Sequence, residues 1–192
     1  MTIATVPFDV PEIVAGAYQL RPLEMADAPE LLLLLAEPSL SESMSGEAPT
    51  TLADVRAWLE RRLERPHTRT GLSWTVRTAV GGALAGTVEC HHVIEEESVA
   101  EIGYGTATAH RGQGVASTAV HAVTAYAHRA LGIHRVEILH ERQNLASCKV
   151  AAACGYHVEG TLRGAMRVDE SFVDLHLHSH LATDLEGGPL AV

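Results

Sequence analysis

The stretch Glu101-Ile102-Gly103-Tyr104-Gly105-Thr106, followed by Arg111-Gly112-Gln113-Gly114-Val115-Ala116-Ser117, decides how the rest of the chain is read. Its first part is β-prone and predicts a strand over Ala100 to Ala107. From Val115 the apolar spacing becomes helical: Ala116, Ala119, Val120, Val123, Ala127 and Leu131 share one face, and Gly132 ends the run. The loop between them leaves backbone N–H groups at the positive end of the helix dipole, an arrangement that attracts phosphate or pyrophosphate. Gly112 and Gly114 have no Cβ to hold such a group away, and Arg111 adds positive charge. A tight turn that needs glycine for steric reasons alone explains Arg111 to Ala116 equally well.

Other phosphate loops fit less well. A Walker loop requires Gly-Lys-Ser/Thr after four spacers, which this chain lacks. Gly112 to Ser117 reads G-x-G-x-x-S, short of the third Rossmann glycine, and no alternating strand–helix series follows. A kinase loop joins two strands, whereas a helix follows here.

Upstream, residues 1–17 contain Pro7 and Pro11 and read as an irregular arm. Tyr18 to Pro22 predicts a short strand. Asp27, Pro29 and Glu30 open a helix through Ala36, and Ser39 to Pro49 reads as a loop. Thr51 with Asp54 forms a capping box for a second helix, with Leu52, Val55, Trp58, Leu59 and Leu63 on one face. Arg56, Arg61, Arg62 and Arg65 read as its solvated side. Strands are predicted over Leu72 to Thr78 and Ala83 to Val93. Downstream come a strand at Arg135 to His140, a short helix at Ser147 to Ala153, and strands at His157 to Leu162 and Phe172 to Leu181. The fold class is α+β: a mixed, mostly antiparallel central sheet flanked by helices, with one βαβ unit in the middle. The domain is expected over residues 18–183, with a loose tail at 184–192.

The chain has 192 residues, enough for one domain, and 46% are hydrophobic. A net charge of −10 argues against nucleic-acid binding, which needs a basic surface. No segment is apolar enough to span a membrane, and no basic-then-apolar leader opens the chain. Cys90, Cys148 and Cys154 lack a disulfide framework and read as free thiols, so a cytoplasmic location is expected.

Glu101-Ile102-Gly103-Tyr104 and the loop Arg111 to Ala116, which satisfies Arg/Gln-x-x-Gly-x-Gly/Ala, resemble the signature segment of the GNAT acetyltransferase superfamily. Asn144-Leu145-Ala146-Ser147 and Cys154-Gly155-Tyr156 resemble the family's second block, and Leu20-Arg21-Pro22 its opening. The combination is similar to the RimJ/RimL-type branch over residues 18–183. The resemblance implies a GNAT fold whose central βαβ unit binds acyl-CoA. It also implies an N-acetyltransferase in which a primary amine, on a protein N-terminus or a small molecule, attacks acetyl-CoA directly in a ternary complex. Tyr104, Gly105 and Thr106 would meet pantetheine, Arg111, Gly112, Gln113, Gly114, Val115, Ala116 and Ser117 the pyrophosphate, and Asn144 the pantetheine arm. Ser147 would donate to the leaving thiolate, although it suits an N-cap equally well. Glu101 would serve as base through a water. Some relatives carry a Glu where Met166 stands here, and another branch a helical Tyr where Ala151 stands. A non-catalytic acyl-CoA-binding or regulatory module on the same fold is the alternative. A homodimer is implied by relatives.

Of twelve histidines, His176, His178 and His180 alternate on one face of the last predicted strand with Asp174. Neighbours two apart are about 6.8 Å from one another. Two of the three can share an ion but not all three, and no metal is expected. Leu175, Leu177 and Leu181 are read as the core face, and the histidines as a semi-polar face beside the acceptor. His91 and His92, adjacent in a strand, are expected to point to opposite faces.

Overall fold

The computed structural model describes residues 6–41, 48–168 and 170–187. The described strands are β1 (Ile13–Ala15), β2 (Tyr18–Pro22), β3 (Gly71–Thr78), β4 (Leu84–Ile94), β5 (Val99–Thr106), β6 (Arg135–Glu141), β7 (His157–Val168) and β8 (Ser171–Leu181). They form one sheet in the order β1-β2-β3-β4-β5-β6-β8-β7. Every neighbouring pair is antiparallel except β5 and β6. The helices are α1 (Ala28–Leu35), α2 (Pro38–Ser41), α3 (Leu52–Thr68), α4 (Val115–Arg129) and α5 (Leu145–Ala153). The mixed sheet and its central βαβ unit, β5-α4-β6, are as expected.

The period-2 pattern of the central strands divides the core in two. Leu72, Trp74, Val76, Val88, Cys90, Ala100 and Ile102 face α4, where they meet Val115, Ala119, Val120 and Val123. The second core joins Leu31, Leu34 and Leu35 of α1 to Val55, Trp58 and Leu59 of α3. Leu20, Leu59, Leu72 and Trp74 are fully buried, each aliphatic contributing about 1.5–3 kcal/mol.

Several boundaries differ from expectation. The lead-in through residue 17 contains β1, paired to β2. It is also tied down by Phe8 N–H to the Pro66 carbonyl (2.9 Å), Trp74 Nε1–H to Pro11 (2.8 Å) and Tyr126 O–H to Asp9 (2.8 Å). Those anchors come from elements remote in sequence, so local composition does not show them. Ser39 to Pro49 was expected to be all loop, yet α2 reaches Ser41; residues 42–47 lie outside the described residues. Pro66 does not stop α3; the helix runs to Thr68 and is capped by Arg69 in the left-handed region (φ 58). The Thr51–Asp54 capping box forms as read, with Asp54 N–H on Thr51 Oγ1 (3.2 Å) and Thr51 N–H on Asp54 Oδ2 (2.9 Å). Of the tail, Ala182–Gly187 is a 3-10 turn and residues 188–192 lie outside the described residues. Among the described residues no helix is long and apolar enough to cross a membrane.

Candidate active site

β5 and β6 run parallel for only three residue pairs, Val99↔Arg135, Ala100↔Val136 and Glu101↔Glu137. Beyond Glu101, β5 pairs only with β4, through Ile102, Gly103, Tyr104, Gly105 and Thr106, while β6 continues against β8 to Glu141. The two parallel strands therefore part, and the β6-side main chain of residues 102–106 has no strand partner. The opening lies between the α4 N-terminus and α5.

Arg111, Gly112, Gln113 and Gly114 are exposed at the start of α4, and Val115 is buried as its first anchor. Gly114 is the N-cap residue, with φ 79 and no side-chain cap, so the first-turn N–H groups are left to an external acceptor. The loop is held from behind: Tyr18 O–H donates to the Gln113 carbonyl (2.9 Å) and Gln113 Nε2 to the Ala109 carbonyl (3.1 Å). Ser117 O–H returns to the Gly114 carbonyl (3.1 Å), and Arg111 Nε donates to the Thr106 carbonyl (3.4 Å). Ala116 is half-buried in the same turn.

Across the opening stands α5. Asn144, not Ser147, is its N-cap: Asn144 Oδ1 accepts from Ser147 N–H at 3.0 Å. This corrects the capping alternative for Ser147, because the helix begins two residues earlier than expected and Ser147 falls in its first turn. Tyr104 O–H donates to the Ser147 carbonyl (3.3 Å), joining β5 to α5. Burial pushes the Tyr104 phenol up to about 12, so it stays protonated. The structure thus brings Tyr104, Asn144 and Ser147 together.

Glu101 lies at the fork, an odd position on β5, on the opposite sheet face from Tyr104. Its Oε1 lies 3.1 Å from His92 Nδ1. His91 and His92 were expected on opposite faces, but His92 has φ 48 at a register shift, and the two rings meet edge-on at 4.6 Å. The irregularity interrupts the strand alternation. The His91 Nε2 stands 3.1 Å from where a Cβ on Gly103 would be. Burial pushes His91 below the ordinary histidine range, despite the carboxylates of Glu89 and Glu101 nearby, so it is neutral.

The same face holds a cavity of about 180 Å³ lined by Leu35, Leu40, Trp58, Arg62, Ser73, Glu89, Gly103, Tyr104 and Gly105 among others. Its charged element is Glu89 of β4, which accepts from Arg62 Nε (3.1 Å), Arg65 Nη1 (2.7 Å) and Ser73 O–H (3.4 Å). Burial alone would raise the Glu89 pKa; the guanidiniums of Arg62 and Arg65 overcome it and hold the carboxylate below its ordinary range. Arg62 also lies 3.6 Å over the Trp58 ring. Arg62 and Arg65, expected on a solvated face, instead turn inward onto Glu89. Helical periodicity locates the face of α3 but not the acid two strands away that draws them in. Gly105 lies tight in this wall: a Cβ there would come within 2.8 Å of Leu40 Cδ2, and the Leu40 side chain would have to move aside.

A family model described as acetyltransferase (GNAT) domain matches residues 18–157. The chain belongs to the GNAT acetyltransferase family. The Bacillus subtilis (strain 168) protein named probable N-acetyltransferase YjcK is 31% identical over 171 residues, covering 86% of this chain and 94% of that protein. Mycobacterium smegmatis RimJ in complex with CoA-disulfide matches with a TM-score of 0.82 at 23% identity, covering 93% of this chain and 90% of that one. The microcin C7 self immunity acetyltransferase MccE, in complex with acetyl-CoA and AMP, matches at 0.78 and 21%, with coverages of 86% and 93%. At those identities the two structures establish a shared GNAT fold. As a GNAT member the protein is an acyltransferase.

Reading the sequence missed Glu89, Ser73 and Trp58 as parts of one cavity. The only available signal was a lone acid at an inward position of a strand whose neighbours Val88 and Cys90 are core. The last histidines are more buried than a semi-polar face implies: His178 is fully buried and His180 nearly so, against His128 of α4 and, for His178, Cys148 of α5. On the other face Leu175 is buried, whereas Leu177 and Leu181 are only half-buried.

Proposed function

We propose that this GNAT enzyme is an N-acetyltransferase that takes acetyl-CoA as co-substrate and transfers its acetyl group to a primary amine. The observation carrying this reading is the fork after Glu101, with a helix N-terminus at one end and α5 at the other. Pantetheine lies along the unpaired edge of Tyr104, Gly105 and Thr106, adding hydrogen bonds where β6 has departed. The pyrophosphate sits on the Gly112–Ser117 turn with Arg111 beside it, and Asn144 contributes its amide N–H to the pantetheine arm while its oxygen caps α5. A main-chain N–H of the fork polarises the thioester carbonyl.

The amine enters from the face of Glu101, His91 and Glu89, opposite the Tyr104 hydroxyl. It attacks the acetyl carbonyl directly in a ternary complex, its C–N bond forming as the C–S bond breaks. Glu101 takes the ammonium proton through a water, with neutral His91 over Gly103 beside the route. The Ser147 hydroxyl donates a hydrogen bond to the departing thiolate, which then takes a proton from solvent as Glu101 returns its own. The acceptor is a small amine or a protein N-terminus, whose ammonium is held on this side by the carboxylate of Glu101.

Residues 18–183 form the catalytic unit. Three free cysteines fit a cytoplasmic setting, and light scattering on the purified protein tests the homodimer expected from relatives. Incubation with acetyl-CoA and an amine panel should release free thiol and give a product heavier by one acetyl group. The alternative is a non-catalytic acyl-CoA-binding module, favoured by Ala151, which is fully buried in α5 where another branch has its acid. Acetyl-CoA binding without thiol release across the panel would select that alternative; absence of any acyl-CoA binding would sink both.

A further inference from the structure

Four potential metal-ligand atoms converge behind α5. His140 near the end of β6, Cys148 on α5, and His176 and His178 on β8 each place one such atom within 4.8 Å of all the others. His140 Nε2 and His178 Nε2 are 3.0 Å apart. Cys148 Sγ lies 3.7 Å from His178 Nε2 and 3.9 Å from His176 Nδ1. In a tetrahedral zinc site, bond lengths near 2.0–2.3 Å put ligand atoms about 3.3–3.6 Å apart. The observed separations bracket those edges.

From these contacts we infer that His140, Cys148, His176 and His178 form a closed tetrahedral site for Zn²⁺. The donor set of three imidazoles and one thiolate selects a borderline-soft cation over magnesium or calcium, which take oxygen ligands. The His140 tautomer is already set: its Nδ1–H donates to the Glu141 carbonyl at 2.8 Å, leaving the Nε2 lone pair facing the cluster. A backbone carbonyl on the far nitrogen is the usual outer support of a zinc-bound histidine.

An ordinary His–His hydrogen bond explains less. One N–H on His178 Nε2 can satisfy His140, but it gives no reason for Cys148 and His176 to gather at the same point. His178 Nδ1 is buried without a hydrogen-bond partner under either arrangement, so it does not choose between them. A second histidine pair, His128 of α4 and His180 of β8, makes the contrast. His128 Nδ1–H donates to Ile133 O (2.7 Å), His128 Nε2 meets His180 Nδ1 (3.1 Å), and among the described residues no cysteine completes a cluster with them.

This reverses the expectation of no metal, which counted only the histidines of one strand. The register His140↔His176 and Ile138↔His178 brings β6 into the cluster, and α5 supplies the thiol. With four protein ligands the ion has no open position for water, so its role is structural. It pins α5 to β6 and β8, one residue from Ser147. On binding, the Cys148 thiol gives its proton to solvent and the sulfur bonds the metal as thiolate. The site stands independently of the acceptor or the acyl reaction.

The test uses full-length, tag-free protein stripped with a chelator and titrated with Co²⁺. We expect saturation at about one ion per chain, with the visible bands of tetrahedral Co²⁺ and a near-ultraviolet thiolate-to-cobalt band. Cys148→Ser should abolish the thiolate band and weaken binding by on the order of a hundredfold. His176→Gln, also half-buried, should weaken binding while retaining the thiolate band, and both variants should keep the wild-type circular dichroism. His92→Ala, in the other His/Glu cluster, should leave the spectrum intact. Zinc should raise the melting temperature of wild type but not of Cys148→Ser. Absence of the thiolate band in wild type, or its survival in Cys148→Ser, overturns the site.

Discussion

The loop Arg111–Ser117 offers main-chain groups, whereas the cavity under α3 offers side chains drawn from α1, α2, α3, β3, β4 and β5. One surface needs a backbone conformation and little else; the other needs several distant residues to arrive together. Mutations should therefore act differently at the two. At the loop's two glycines any side chain does harm, because both have positive φ, while at the cavity the chemistry of the replacement decides.

The largest effect is expected at Gly114. Its φ of 79 strains any L side chain, and a carboxylate there would occupy the dipole's anion position. Gly114→Glu should weaken acetyl-CoA binding by about 3 kcal/mol or more, roughly a hundredfold, with helix content retained. Gly114→Ala should lie in the same direction. Calorimetry showing wild-type affinity in both would remove the loop from the cofactor site.

The cavity should respond in the opposite way. Glu89→Gln leaves Arg62 and Arg65 without their anion, costing about 2 kcal/mol of stability for this partly exposed network. It should raise the KM for a cationic amine while leaving acetyl-CoA affinity unchanged. The folded carboxylate titrates below its unfolded value. Its pairing therefore stabilises the protein above about pH 4.3, and that contribution fades as pH falls through the lowered folded value. Chemical denaturation between neutral and acid pH should show a shallower loss in Glu89→Gln than in wild type.

Ser147→Ala should lower kcat by about a hundredfold with acetyl-CoA affinity unaltered. Unchanged turnover would pass the thiolate-donor role elsewhere, and Tyr104→Phe tests the nearest hydroxyl. A smaller change is expected for Glu101→Gln, about tenfold in kcat and steepest at low pH, because a water and His91 share the path. The two substitutions leave the loop untouched, so their effect on acetyl-CoA affinity measures how separable the two regions are.

The same contrast explains what was legible in advance. The loop, its strand and its helix are contiguous, so glycine placement and a change from period 2 to 3.6 expose them without tertiary information. The capping box at Thr51–Asp54 is legible for the same reason. Glu89 was not, because its meaning depends on Arg62 and Arg65, 27 and 24 residues away in sequence. The histidines of β8 carried a clear alternation, yet the alternation says nothing about which elements cover that face. Where α5 starts depended on Asn144 rather than Ser147 accepting one hydrogen bond, a choice between two good caps that the sequence leaves open. The positive φ of His92 broke an alternation that otherwise runs through β4.

The short ladder at Val99–Glu101 has a mechanical consequence. It makes the sheet two stiff plates sharing a brief hinge line, with β1 to β5 on one side and β6 to β8 on the other. A molecule wedged in the gap touches both plates and acts as mortar between them. Its binding energy should then appear as resistance of the whole sheet to melting, and slow amide exchange on β6 as readily as on β5.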